Sequence, residues 1–287
     1  MWTRFASMLA GFGLVAALGA TPARAMMFGV GSGVGTNGST LYRVDDFASV
    51  PTRANIADTG RILNDIAIAP NGNAYVIDGV SGLYQINLTN GSTSFLFNVA
   101  SGQNSLEAAN NTTLYSWGFT DPTIYRINLS TGSFTPIVNT GFLGADLALD
   151  LNGTDLYGST LDGRLIRVDL NTLAVTDIGP MSVTPGLRVP GLDFNPSGQL
   201  FATSGNDGST AAEVYAVNKF TAAATLIGDI SGVGNLGMSI TPAQIAVVPE
   251  PSTLLMLGVG SVGLVALSRL RRPKQGVSAG KGVGSLM

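Results

Sequence analysis

Through most of the chain, apolar and polar residues alternate in short runs separated by polar turns. One run recurs with a bulky apolar pair near its start: LYRVDD at Leu41, LYQINLTNG at Leu83, IYRINLSTG at Ile124, LIRVDLNT at Leu165 and VYAVNKFT at Val214. The starts lie 42, 41, 41 and 49 residues apart. Alternation with period two marks a strand with one buried face. In the second unit it sets Leu83, Gln85 and Asn87 on one side and Tyr84, Ile86 and Leu88 on the other. A repeat of about 40–50 residues points to a propeller or a solenoid.

A two-strand element precedes these runs. It reads LNDIAIAPNGNAYVID from Leu63, ADLALDLNGTDLYGS from Ala145 and VPGLDFNPSGQLFATS from Val189, with Asn71-Gly72, Asn152-Gly153 and Ser197-Gly198 as turn residues suited to positive φ. In the third unit this turn is worn, with Asn110, Asn111 and Thr112 in its place. A fourth run follows each recurring strand, such as TSFLFNV at Thr93 and FTPIVNTG at Phe134. Each unit therefore reads as a four-stranded antiparallel meander, the content of a propeller blade. Five units predict an all-β fold, a β-propeller of five blades over residues 26–247. The first unit lacks its first strand, and Leu236–Thr241 matches that missing strand, with Met238, Ile240 and Pro242 where Ile66, Ile68 and Pro70 fall. Pairing the two ends closes the ring and hides a strand edge. An open β-solenoid, or a pair of β-sandwiches, is the competing reading, and a sixth blade fits if one unit is too worn to see.

Composition narrows the chemistry. The 287 residues contain no His and no Cys, which excludes a Ser-His-Asp triad, histidine-ligated zinc, disulfides and a thiol nucleophile. Residues 26–248 hold eight Lys/Arg against seventeen Asp/Glu, a net charge of −9. That balance disfavours nucleic acid and anionic polysaccharide as direct partners and suits neutral glycans or divalent cations. Asp65 and Asp146 open the first strands of two units; facing one channel, they would offer paired carboxylates for acid–base work. Ser105, Gly191 and Gly237 hold the same place in the other units, so this position forms no complete ring of acids, and a structural role at the channel mouth is the expectation. Asp150–Asp155 offers oxygen ligands but lacks the spacing of an EF-hand loop and reads as a turn. Trp117 is the best single candidate for stacking on a sugar; packing between blades is the expected alternative. No cofactor or metal is expected, and no catalytic residue is assigned.

The ends carry different signals. Arg4, the apolar run from Phe5 to Gly19 and the small residues Ala23 and Ala25 read as a secretory signal peptide over residues 1–25, with cleavage after Ala25, against an uncleaved anchor. Near the other end, Pro249, Glu250 and Pro251 precede an apolar run over residues 253–268, closed by Arg269, Arg271, Arg272 and Lys274. This reads as a short transmembrane helix with a positive stop, engaging the membrane at least transiently. The prolines hold the chain before it extended and open to an enzyme. Residues 248–274 resemble a PEP-CTERM sorting signal; an ordinary C-terminal anchor is the competing reading. The resemblance implies a Gram-negative host, an exosortase that removes the tail, and delivery to the cell surface or extracellular matrix. Residues 275–287 are expected to be a disordered tail. The repeats also resemble, in strand pattern, propellers of secreted bacterial proteins. The expectation is an exported, non-catalytic binding or structural propeller. Its partners would be signal peptidase, exosortase and, at the surface, extracellular polysaccharide or envelope proteins. The alternative is a secreted lactonase-like hydrolase or lyase using Asp65 and Asp146.

Overall fold

The computed structural model describes residues 25–33, 38–206 and 210–242. Contacts divide the chain into a unit ending at Ala246 and a second unit from Val247 onward. Residues 1–24 of the expected signal peptide, Pro249-Glu250-Pro251, the apolar run, the basic cluster and the tail over 275–287 lie outside the described residues. Among those described, no helix is long and apolar enough to cross a membrane.

The described chain forms twenty strands in five antiparallel sheets of four. Blade 1 uses β1 (Met27–Gly33), β2 (Ser39–Asp45) and β3 (Thr52–Asp58). Blade 2 comprises β4 (Leu63–Ile68), β5 (Ala74–Asp78), β6 (Gly82–Ile86) and β7 (Thr93–Asn98). Blade 3 comprises β8 (Gln103–Asn110), β9 (Thr113–Gly118), β10 (Thr123–Asn128) and β11 (Phe134–Asn139). Blade 4 comprises β12 (Gly144–Leu149), β13 (Asp155–Thr160), β14 (Arg164–Asp169) and β15 (Val175–Pro180). Blade 5 comprises β16 (Arg188–Phe194), β17 (Leu200–Gly205), β18 (Ala211–Val217) and β19 (Ala224–Ser231). The last strand, β20 (Val233–Ile240), returns to blade 1 and pairs with β1, matching Met27 to Ile240 and Val30 to Gly237. The expected closing strand is therefore present, and it begins earlier than the sequence pattern indicates. The worn third-unit turn still turns: the Asn110 side chain accepts from the Thr112 N–H at 2.9 Å. In the other three turns, Gly72, Gly153 and Gly198 carry the positive φ, while Asn71, Asn152 and Ser197 do not.

The expectation of half-buried strands needs correction. Five apolar clusters fill the molecule, one at each junction between neighbouring blades. In β5, Val76 joins the cluster shared with blade 1, while Tyr75 and Ile77 join the one shared with blade 3. Alternation along these strands thus sorts side chains between two neighbours rather than between core and water. In β6, Leu83 packs toward blade 3, and Tyr84 and Ile86 toward blade 1. Five clusters for five blades leave no junction open, as a closed ring requires.

The outermost strands β3, β7, β11, β15 and β19 are the exposed edges. In all five blades the ladder to the outer strand slips at one repeat position, for example between Leu83 and Tyr84 or between Ile124 and Tyr125. The unmatched outer-strand residue is aliphatic each time: Ile56, Leu96, Ile137, Ile178 and Ile227. Such a bulge adds local twist and makes the edge a poor template for another chain.

Candidate functional site at the propeller axis

The inner strands β4, β8, β12, β16 and β20 surround the axis, each in contact with the next. An inner strand is the edge of its own sheet, so its axis-facing N–H groups have no ladder partner. A buried N–H needs an acceptor. Side chains of the preceding blade supply one at all five junctions. Asp65 accepts from the Leu106 N–H at 2.6 Å, Glu107 from Leu149 at 3.2 Å and Asp146 from Leu192. Asp193 accepts from Ile240 at 2.6 Å, and Ser239 accepts from Ile68 at 3.2 Å, which closes the cycle. The acceptors occupy two levels. Asp65 and Asp146 take the first axis-facing position of their strands, while Glu107, Asp193 and Ser239 lie two residues further along theirs.

Sequence reasoning missed the second level. Ser105, Gly191 and Gly237 do lack a carboxylate at the first position, but the same three strands carry their acceptor two residues on. The signal was present in the period-two rule, which puts residues i and i+2 on one face. Gly237 and Gly191 also make room. A Cβ on Gly237 would lie 2.8 Å from the Asp65 Oδ1, and one on Gly191 would lie 2.7 Å from the Leu236 carbonyl oxygen.

Asp65 and Asp146 do come together, close enough for each to shift the other's titration, while the Asp65 Oδ1 makes no hydrogen bond among the described residues. Burial pushes the Asp65 carboxyl up to about 8. Burial, and then the neighbouring Asp65, hold Asp146 well above the usual carboxylate range. Burial raises Asp193 to about 7, and burial with the charge of Asp193 raises Glu107. Both Asp65 and Asp146 are fully buried.

The acid pair divides the axis into two mouths. One is a cavity of about 490 Å³ with Glu107, Asp193 and Ser239 among its lining and Pro70, Asp150 and Pro196 further out. The other, of about 360 Å³, is lined by residues from all five blades, including Asn64, Asn104, Phe119 and Arg188. Asp150 shapes a turn, as expected: its Oδ1 accepts from the Thr154 and Asp155 N–H groups, both at 2.9 Å. Among the described residues, no group of three acids is placed to hold a metal ion.

Trp117 is fully buried between blades 3 and 4, clustered with Ile124, Leu147, Leu156 and Ile166. Its ring fills space left by Gly144 and Gly158, where a Cβ would lie 2.3 Å and 2.6 Å from ring carbons. The candidate sugar platform is thus a packing residue, with no face open to a ligand. Once residues 1–25 are removed, Trp117 is the one tryptophan of the chain. The processed protein will show blue-shifted emission with little acrylamide quenching, and Trp117→Phe will cost about 1–3 kcal/mol in denaturant unfolding. Red-shifted, freely quenched emission from the folded protein would contradict this placement.

The fold and the C-terminal residues define the class: a five-bladed β-propeller carrying a sorting signal. Residues 247–272 match the PEP-CTERM protein-sorting motif, so the chain carries that motif beside its repeat domain. The motif implies export, passage through the membrane toward the cell surface and processing by an exosortase. Residues 14–150 match a repeat of unknown function (DUF6923). No curated protein matches the chain. Among solved structures, a chain of a nidogen/laminin complex is similar at 10% identity, with a TM-score of 0.53, covering 77% of this chain and 100% of that one. TolB from Acinetobacter baumannii aligns at 13% identity and a TM-score of 0.48, covering 77% and 68%. Hydrazine synthase from Kuenenia stuttgartiensis aligns at 11% identity and a TM-score of 0.43, covering 59% of this chain and 49% of that one. The chain thus spans about half the length of that synthase chain. At 10% identity the likeness to the nidogen/laminin chain concerns the fold alone.

Proposed function

We propose that the exported propeller is a non-catalytic binding or structural component of the cell envelope or extracellular matrix. The observation that carries this reading is the use made of the axial acids: each takes a backbone N–H of the next blade, and so holds the ring together. The sorting motif supports the destination. The test is the intact mass of the protein recovered from the native host's envelope and medium. A mass running from Met26 to the Pro249-Glu250-Pro251 region, recovered from the surface fraction, is the expected result. A cytoplasmic chain that keeps residues 1–25 would sink the reading.

The second reading is a lactonase-like hydrolase, favoured by one observation, the closeness of the two buried carboxyl groups Asp65 and Asp146. A calcium-dependent enzyme loses activity and melting temperature in chelator. For this protein the expected shift in Tm with chelator is under about 1 °C, because its axial acids are occupied by backbone donors. A drop of several degrees, reversed by calcium, would favour the hydrolase.

A further inference from the structure

The two axial mouths differ in charge. The lining of the larger one includes Glu107, Asp150 and Asp193 and no Lys or Arg, whereas the smaller has Arg188 and no acid among its described residues. Arg188 is an exposed side chain. The ion pairs formed among the described residues use Arg43, Arg164 and Arg167, and the cation–π contacts use Arg53, Arg61 and Lys219. Arg188 is in none of these. Beside it, the wall offers two side-chain amides and an apolar lip. With its amide oriented to donate, Asn104 bonds the Gly144 and Trp117 carbonyls at 3.2 Å and 3.1 Å. Asn64 lines the same wall. Phe119 is 38% exposed and Ile62 is 70% exposed at the lip. Both described chain ends lie at the opposite mouth, where the Thr241 N–H bonds the Met26 carbonyl and Pro242 lines the cavity.

A guanidinium with no side-chain partner among the described residues can take a carboxylate by a two-pronged charge-assisted bond. Amides suit hydroxyl groups, and an exposed aromatic ring suits the C–H face of a pyranose. A volume of about 360 Å³ admits a sugar unit rather than a folded partner. We propose that this mouth binds a saccharide unit bearing a carboxylate. Arg188 pairs the carboxylate, Asn64 and Asn104 take the hydroxyls, and Phe119 lies against the ring. This rests on the binding reading above and names its ligand class. The domain's overall negative charge repels an anionic chain at long range, so the affinity comes from the local pairing and not from general attraction.

The test is calorimetric titration of the processed protein with hexuronate oligomers, uncharged hexose oligomers of equal length, and acetate. The uronate oligomer is expected to bind at least about tenfold more tightly than the uncharged one, and acetate not to compete. Arg188→Gln should weaken uronate binding about tenfold or more. Phe119→Ala should weaken both sugars. Arg188 is exposed, so its variant should keep the parent Tm. Equal binding of the two oligomers, competition by acetate, an unaffected Arg188→Gln variant or no binding at all would each overturn the proposal. Surface recovery of the protein in those cases would leave the envelope reading standing, whereas cytoplasmic retention would remove that reading itself.

Discussion

A chain that ends at Gly232 will fail to form a stable propeller. The missing strand β20 buries Val233, Leu236, Met238 and Ile240, none more than 2% exposed. Burial of such side chains contributes roughly 1.5–3 kcal/mol each. Four of them bring about 6–12 kcal/mol, comparable to the whole stability of about 5–15 kcal/mol expected of a domain. The truncation also removes Ser239, which accepts the Ile68 N–H, and the Ile240 N–H that Asp193 accepts. Two of the five axial junctions therefore open together, and β1 becomes an exposed edge that pairs with other chains. Circular dichroism and size-exclusion chromatography of chains 26–232 and 26–242 provide the measurement. The longer chain should melt cooperatively as a monomer, and the shorter should aggregate or melt without a cooperative transition. Equal melting temperatures for the two would show that the closing strand is dispensable.

That strand is legible in the sequence because a propeller repeats its geometry. Met238 and Ile240 fall where Ile66 and Ile68 fall, and the unit that lacks a first strand lies at the other end of the chain. The outer bulges repeat as regularly but leave no such mark, since Ile56, Leu96, Ile137, Ile178 and Ile227 look like ordinary members of an alternating run. Trp117 shows where local sequence runs out. The segment YSWGFTDP has the look of an exposed aromatic cluster, yet the ring is received by Gly144 and Gly158 of the next blade. Nothing near Trp117 in the chain announces those glycines. The axial acids are half legible. Equivalent places in the repeat single out Asp65 and Asp146, whereas Glu107 and Asp193 are displaced by two residues, so an alignment by position alone misses the shared face.

Raising the pH from 5 to 8.5 will lower the melting temperature of the domain. Four carboxyl groups, Asp65, Glu107, Asp146 and Asp193, face the axis, and all titrate higher in the folded protein than a free side chain does. Asp150 lines one mouth beside them and Arg188 the other. A raised carboxyl value means that the folded state keeps a proton that the unfolded chain gives up above about pH 4. The unfolded state then binds fewer protons, so stability falls as pH rises. For Asp65 the stabilisation is complete below about pH 4 and is lost as pH climbs through about 8. Asp193 behaves in the same way up to about 7. A carboxyl that titrates one pH unit higher in the folded than in the unfolded chain accounts for about 1.4 kcal/mol, so the summed loss is on the order of several kcal/mol. The variant Asp65→Asn separates this cause from others. Its amide oxygen can still accept the Leu106 N–H, but it carries no charge at any pH. It should therefore melt above the parent at pH 8.5, and its Tm should fall less steeply between pH 5 and 8.5. A parent Tm that stays level or rises over that range would mean that the axial acids are ionised in the folded protein, with a cation or water meeting their charge.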